Sequence, residues 1–357
     1  MHQGNDATTG LSPRRGTGRL AIEPTDRPDG CHDEEARVAH PDATPTKEQQ
    51  FYYDWNLIGE EELGRPRAVE IDDETLRDGL QSPSVRQPTL DEKLDILHRM
   101  VDLGIQGVDL GYPGAGPMVL DHVVSLAEEI ARENLPIAPN CAGRTHPDDI
   151  LPIAEAQQRS GVAIEASVFL GSSPIRQFVE GWDTDFLVRT TEKAVSLARD
   201  SGLEVMFVTE DTTRARPEVL EAVYTTAIEA GARRICFSDT VGHATPWGVK
   251  ALISWAREMV DATGADVKID YHGHRDRHFS VANSIAALAA GADRVHGCGL
   301  GIGERVGNTP MEPLLVNLYL LGWLETDLSG LPGYAEAVSK ATETPIPANS
   351  PIVGKDA

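Results

Sequence analysis

The sequence predicts an α/β chain folded as a closed (β/α)8 TIM barrel. Three observations carry this prediction. From about residue 67, short β-branched or apolar runs alternate with longer amphipathic stretches. The alternation repeats through eight units. Asn134, Gly202, Gly231, Gly264 and Gly291 stand where amphipathic stretches end, and these residue types suit helix C-termini. Strict strand–helix alternation implies parallel strands joined by right-handed crossovers. Eight such units close into a barrel. A doubly wound open sheet is the alternative, disfavoured by the number of units and by the lack of an early GxGxxG.

The strand candidates are residues 68–72, 107–111, 137–140, 163–170, 204–209, 234–238, 267–272 and 294–298. Helical periodicity is read over 90–103, 119–133, 186–201, 218–230, 246–263, 281–290 and 310–323. The barrel domain is therefore expected over 67–325. Residues 1–50 are rich in Gly, Pro, Thr, Asp and Arg and contain no Phe, Trp or Tyr. Such a segment buries too little apolar surface to offset its ordering entropy, so a disordered N-terminal extension is expected. Phe51, Tyr52, Tyr53 and Trp55 follow abruptly, and 51–66 reads as an aromatic segment that docks on a folded surface. Residues 326–357 contain Pro332, Pro345, Pro347 and Pro351 and read as a short C-terminal tail.

Composition narrows the function classes. The chain has 357 residues and a formal charge of −24, which argues against a general nucleic-acid binder and against a polybasic membrane binder. Four cysteines, Cys31, Cys141, Cys236 and Cys298, are widely spaced without a CxxC pair. That pattern argues against a disulfide framework and fits a reducing cytoplasm. No stretch is apolar for long enough to span a bilayer, and no apolar signal region is seen at the start.

In a parallel barrel the active site lies at the C-terminal ends of the strands. Strand 1 is followed by Asp73-Glu74-Thr75-Leu76-Arg77-Asp78-Gly79-Leu80-Gln81. Strand 7 ends in Tyr271-His272-Gly273-His274-Arg275-Asp276, where residues i and i+2 point to one side. Strand 8 is followed by Gly301-Ile302-Gly303-Glu304-Arg305-Val306-Gly307-Asn308. Strand 8 neighbours both strand 7 and strand 1 in a closed barrel, so Asp78, His272, His274 and Asn308 converge. Two imidazoles with oxygen ligands suit Zn²⁺, Mn²⁺, Co²⁺ or Mg²⁺ and leave open positions for substrate.

These motifs, together with Ser238-Asp239-Thr240-Val241-Gly242, resemble the isopropylmalate/homocitrate/citramalate synthase family, part of the DRE-TIM metallolyases that include hydroxymethylglutaryl-CoA lyase. The resemblance runs over about 67–322, one motif per expected strand end. Val281-Ala282-Asn283-Ser284 and the loop after strand 8 look more like the synthases than the lyase. The resemblance implies a metal-dependent Claisen condensation of acetyl-CoA with an α-keto acid. It implies Asp78, His272 and His274 as ligands, with Asn308 a ligand or close beside the metal. It implies Arg77 as the stabiliser of charge developing on oxygen. Glu210 and Asp239 are the further catalytic candidates, and Gln81, Asp109, Ser167, Thr240 and Arg144 the substrate-binding ones. A homodimer is the implied assembly.

Departures from the family pattern gather at the keto-acid side. Asp109 and Ser167 stand where the synthases commonly have glutamate and histidine, and Arg275-Asp276-Arg277-His278 replaces the usual Asn-Asp-Leu-Gly. Cys298 is expected to pack, although a loop cysteine serves catalysis in the lyase branch. Arg176, Arg214 and Arg275 also lie near strand ends, where they are further candidates to meet a carboxylate or CoA phosphates. The chain is too short for both the linker subdomains and the leucine-sensing domain of many synthases. His243, His278 and the aromatic segment are therefore candidates for the base. A lyase or aldolase on the same metal site, and a non-catalytic binding barrel, are the competing readings.

Overall fold

In the computed structural model, which describes residues 63–357, eight parallel strands close into a barrel in sequence order. They are β1 (Glu70–Asp73), β2 (Gly107–Asp109), β3 (Ala138–Arg144), β4 (Glu165–Gly171), β5 (Glu204–Glu210), β6 (Arg234–Asp239), β7 (Lys268–Gly273) and β8 (Arg294–Gly297). Closure is made by β8, which pairs with β7 at Tyr271↔Val295 and with β1 at Ile71↔Val295. The extension expected over 1–50, and residues 51–62 of the docking segment, lie outside the described residues.

Helices cover the outside: α1 (Leu90–Asp102), α2 (Pro117–Arg132), α3 (Pro147–Ser160), α4 (Pro174–Glu180), α5 (Thr184–Asp200), α6 (Pro217–Ala230), α7 (Pro246–Thr263), α8 (Ser280–Ala289), α9 (Met311–Leu320) and α10 (Leu331–Thr342). Local chemistry sets their ends. Thr89 and Glu92 form a reciprocal capping box at the start of α1. Proline fills the first turn of α2, α3, α4, α6 and α7, where a missing N–H costs nothing. Asn134, Gly202, Gly231, Gly264 and Gly291 all have positive φ, as helix-terminating positions require.

Helices α3 and α4 were not among the stretches read from periodicity. Pro152 lies inside α3 although Ile150, Ile153 and Ala154 still form its buried face, and α4 buries no residue and so writes no apolar stripe. The larger difference is at the C-terminus. Residues 326–357 carry α10, whose Leu331, Tyr334, Ala335 and Val338 are buried against α1 and the loop after β8. Thr326 and Thr342 tie this segment back through Leu103 O and Arg86 N. The prolines flank this helix or open it at Pro332, so a proline-rich stretch still completes the fold.

Outward strand residues such as Ile71, Val108, Val168, Phe207, Phe237, Ile269 and Val295 pack under the helices. The barrel interior is polar instead of aliphatic. Arg234 on β6 reaches Glu70 on β1, Glu165 on β4 and Asp270 on β7 at 3.0, 3.3 and 2.7 Å. Arg294 on β8 reaches Asp270 and Glu165 at 2.5 and 2.9 Å. Contacts between non-adjacent strands pass through the barrel axis, so these ions fill its lower half. Buried guanidiniums persist there because each meets several carboxylates.

Candidate metal centre and active site

The loop after β1 folds back over the mouth of the barrel. Glu74 N donates to Gly297 O and Gly79 N donates to Glu74 O, which brings Asp78 over the end of β7. There Asp78 Oδ2 lies 3.5 Å from His272 Nε2 and 3.7 Å from His274 Nε2, and the two imidazole nitrogens are 3.1 Å apart. Four-coordinate sites with bonds of about 2.0–2.2 Å place donors roughly 3.4 Å apart. The three buried donors therefore fit one cation. Burial, and then His272, hold His274 down at about 4, so it stands as the neutral imidazole that ligation requires.

Asn308 sits beside them through a bridge to His274. Its amide nitrogen donates to Ile302 O and lies 3.4 Å from Cys298 Sγ, while its Oδ1 is buried with no partner. An orphaned buried acceptor oxygen next to two convergent imidazoles leaves a lone pair open to a cation. Gly303 is essential to this packing, because a Cβ there would lie against the Asn308 amide.

Arg77 is fixed by three carboxylates. Its Nε donates to Asp109 at 2.6 Å, and its terminal nitrogens lie 3.1 Å from Glu74 and 3.4 Å from Asp78. Glu74 in turn sits 2.9 Å from His272 Nδ1. Burial opposes its ionisation, yet His272, Arg77 and His296 hold Glu74 well below the usual carboxylate range.

A cavity of about 250 Å³ opens above these groups. It is lined by Arg77, Asp78, Gln81, Ser167, Glu210, Thr240, His272 and His274 from the sequence reading. Glu210 lies there partly buried, and burial raises its carboxyl. Ser167 donates to Asn140, and Thr240 accepts from Asp211 N. Besides Asn308, three expected site residues do not line the cavity. Asp239 accepts from Thr213 and from the His243 and Ala244 amides, so its carboxylate ties the loop before α7. Asp109 holds Arg77 from behind. Arg144 is bound to Asp149 at the outer end of β3. Of the further arginines, Arg214 pairs with Asp211, and Arg275 donates to Val306 O.

The sequence reading passed over Glu74, His296 and Glu304, which also line the cavity, and its apolar wall of Ala142, Phe169, Met206, Val208 and Cys236. Glu74 lay inside a motif already singled out. His296 stands two residues after Arg294 on β8, so the alternation that placed His272 with His274 also aims it inward.

Comparison with known proteins assigns the family. The HMGL-like family model matches residues 68–338, which spans every strand and the C-terminal helix α10 up to Val338. The chain belongs to the HMGL-like family. Among curated relatives of this HMGL-like chain, the 2-isopropylmalate synthase of Heliobacterium modesticaldum is 36% identical over 302 residues, covering 82% of this chain and 57% of that protein. The 2-isopropylmalate synthase of Methanocaldococcus jannaschii is 33% identical over 306 residues, covering 83% and 55%. The chain thus spans little more than half the length of these relatives. Among solved structures, hydroxymethylglutaryl-CoA lyase from Pseudomonas aeruginosa superposes with a TM-score of 0.66 at 19% identity, covering 82% of this chain and 98% of that one. The HMG-CoA lyase from Brucella melitensis gives 0.63 at 18% identity, covering 77% and 99%. These last two likenesses concern the fold.

Proposed function

We propose that this HMGL-like barrel condenses acetyl-CoA with an α-keto acid, giving a 2-hydroxy-2-alkyl dicarboxylic acid and free CoA. The observation that carries the reading is the convergence of Asp78, His272 and His274 beside an immobilised Arg77 at the mouth of the cavity. The synthase names of relatives above 30% identity support it.

A divalent cation (Zn²⁺, Mn²⁺, Co²⁺ or Mg²⁺) held by Asp78, His272 and His274, with Asn308 Oδ1 as a further donor, supplies Lewis acidity toward the keto carbonyl. The protein groups do the rest. Arg77, held rigid by its carboxylates, presents N–H donors to the oxygen that gains charge, without reorganising during reaction. Glu210 accepts no side-chain hydrogen bond among the described residues, and burial raises its proton affinity. It is positioned as the base that takes a methyl proton from the thioester, a role that favours a carboxylate tuned toward neutral pH. The resulting carbon nucleophile attacks the keto carbon. Water then cleaves the thioester, and CoA leaves as the thiol. Ser167, Gln81 and Thr240 line the cavity as polar contacts for the substrate.

Among the lining residues the cationic side chains are Arg77 and His296, and both already face carboxylates. Beyond them the wall is Phe169, Met206, Val208 and Ala142, with Glu210 and Glu304 at the rim. That surface favours a keto acid with an uncharged, apolar side chain and disfavours a second carboxylate. Cys298 is buried and burial raises its thiol, which supports a packing role over the acid–base role of an open loop cysteine. The buried free thiols Cys141, Cys236 and Cys298 also suit a cytoplasmic enzyme, and a homodimer is the assembly proposed from the family.

The test is thiol release from acetyl-CoA by metal-loaded protein across a panel of keto acids. Release with 2-oxoisovalerate or another apolar keto acid, exceeding that with 2-oxoglutarate, is the expected outcome. No release with any member, despite bound metal, would count against condensation. Cleavage of a hydroxyacyl-CoA without condensation would favour the lyase reading.

A further inference from the structure

Below the proposed metal centre a chain of buried groups runs from the ligand His272 down the barrel axis to Asp270. His272 presents Nε2 to the cation site and its other nitrogen, Nδ1, to Glu74 Oε2 at 2.9 Å. Glu74 Oε1 lies 2.8 Å from His296 Nδ1, and His296 Nε2 lies 2.9 Å from Asp270 Oδ2. Asp270 is anchored by Arg294 and Arg234 at 2.5 and 2.7 Å. Every member from Glu74 to Asp270 is buried.

His296 is the joint of this chain. Both of its ring nitrogens face carboxylate oxygens, and carboxylates only accept, so both nitrogens donate. Burial opposes a charge on His296, yet Glu74 and Asp270 push it up to about 10. Glu74, His272 and His296 also cluster closely enough to suggest a second cation site. The two N–H donors of His296 argue against it, because a ligating nitrogen must be free of its proton.

We infer that His296 is a positioning residue: bridging Glu74 to Asp270, it holds Glu74 against His272 and so sets the cation affinity of the Asp78–His272–His274 centre. The inference rests on reading that centre as the metal site. The physical ground is that a ligating imidazole is oriented, and made more basic, by the group its distal nitrogen meets. Glu74 is pulled on one side by Arg77, and among the described residues His296 alone draws its other oxygen toward the barrel axis. Asp270, locked by two guanidiniums, is the fixed end against which His296 is braced.

The experiment measures Mn²⁺ binding to chelated, metal-free protein by calorimetry, in wild type, His296→Gln, Glu74→Gln and the double variant. Circular dichroism and melting establish that each is folded. Wild type is expected to bind one ion per chain. Each single variant is expected to bind it about 10- to 100-fold more weakly, the range seen when a ligand's orienting partner is lost. The double variant should lose little more than either single one, because both act through the same contact. His296→Lys is the second variant, should His296→Gln fail to fold. It keeps the charge, but one nitrogen cannot reach carboxylates on opposite sides of the ring, and it too should bind weakly. Affinity within twofold of wild type in a folded His296 variant would overturn the inference, as would losses that multiply in the double variant. Two ions per wild-type chain would replace it with the second cation site. No binding by wild type would instead overturn the metal centre on which it rests.

Discussion

Tyr334 tests how far the C-terminal helix supports the site. Its side chain is fully buried, and its hydroxyl lies 2.5 Å from Asp73 Oδ2 and 3.1 Å from Thr75 Oγ1. Asp73 and Thr75 begin the loop that delivers Arg77 and Asp78. Tyr334→Phe keeps the ring packed and removes only the hydroxyl. Thr75 Oγ1 keeps its bond from Gly299 N, whereas Asp73 Oδ2 is left without this donor. Losing a hydrogen bond to a charged buried group costs about 1.5–3 kcal/mol. With a urea slope of about 3 kcal/mol/M, the midpoint should fall by roughly 0.5–1 M. Burial raises Asp73 to about 7 against the bonds from Thr75 and Tyr334. The deficit should therefore be largest above pH 7, where the carboxylate is charged and needs donors. It should shrink below that pH, where the protonated acid can itself donate. A midpoint shift under roughly 0.2 M at pH 8 would refute the reasoning, since it would mean that the hydroxyl does not hold the loop.

Other parts of the account make separate predictions. Arg77→Lys should lower kcat by about 100-fold or more with a smaller change in KM, because one ammonium cannot meet Glu74, Asp78 and Asp109 while facing substrate; steady-state kinetics decides it. Gly307→Ala should destabilise the loop after β8 by more than the ~1–3 kcal/mol of backbone strain alone, since φ is +105° and the new Cβ would meet Gly301 O at 1.8 Å; thermal melts and Mn²⁺ affinity should both fall. His296 has a folded value near 10 against an ordinary 6.5, so its contribution to stability is fully present below pH 6.5 and is lost as pH rises toward 10. Melting temperature should decline across that window in wild type, and the decline should flatten in His296→Gln.

The outer half of the barrel was legible because its cues are local. β-branched runs, helix periodicity and positive-φ terminators such as Gly264 write the fold into short windows of sequence. The convergence of the proposed metal ligands was legible because His272 and His274 share a strand face and strand order brings Asp78 beside them. What the sequence hid is non-local. Asp109 and Asp239 sit at strand ends, as substrate residues would, but Arg77 and the loop amides before α7 capture their carboxylates. Such capture depends on rotamers and partners that spacing does not encode. The charged interior was written as alternation in Lys268-Ile269-Asp270-Tyr271-His272 and Arg294-Val295-His296. Composition disguised it, because charges in a strand usually signal solvent. Helix α10 was hidden by its prolines, and its contacts show that Tyr334 braces the loop after β1.

The central claim is that condensation depends on one cation held by Asp78, His272 and His274. The most direct measurement titrates Mn²⁺ back into chelated protein while following both bound metal and acetyl-CoA-dependent thiol release with an apolar keto acid. The account predicts no release without metal, full release at one ion per chain, and neither binding nor release in Asp78→Asn. Undiminished release in excess chelator, or full activity in folded Asp78→Asn, would contradict it.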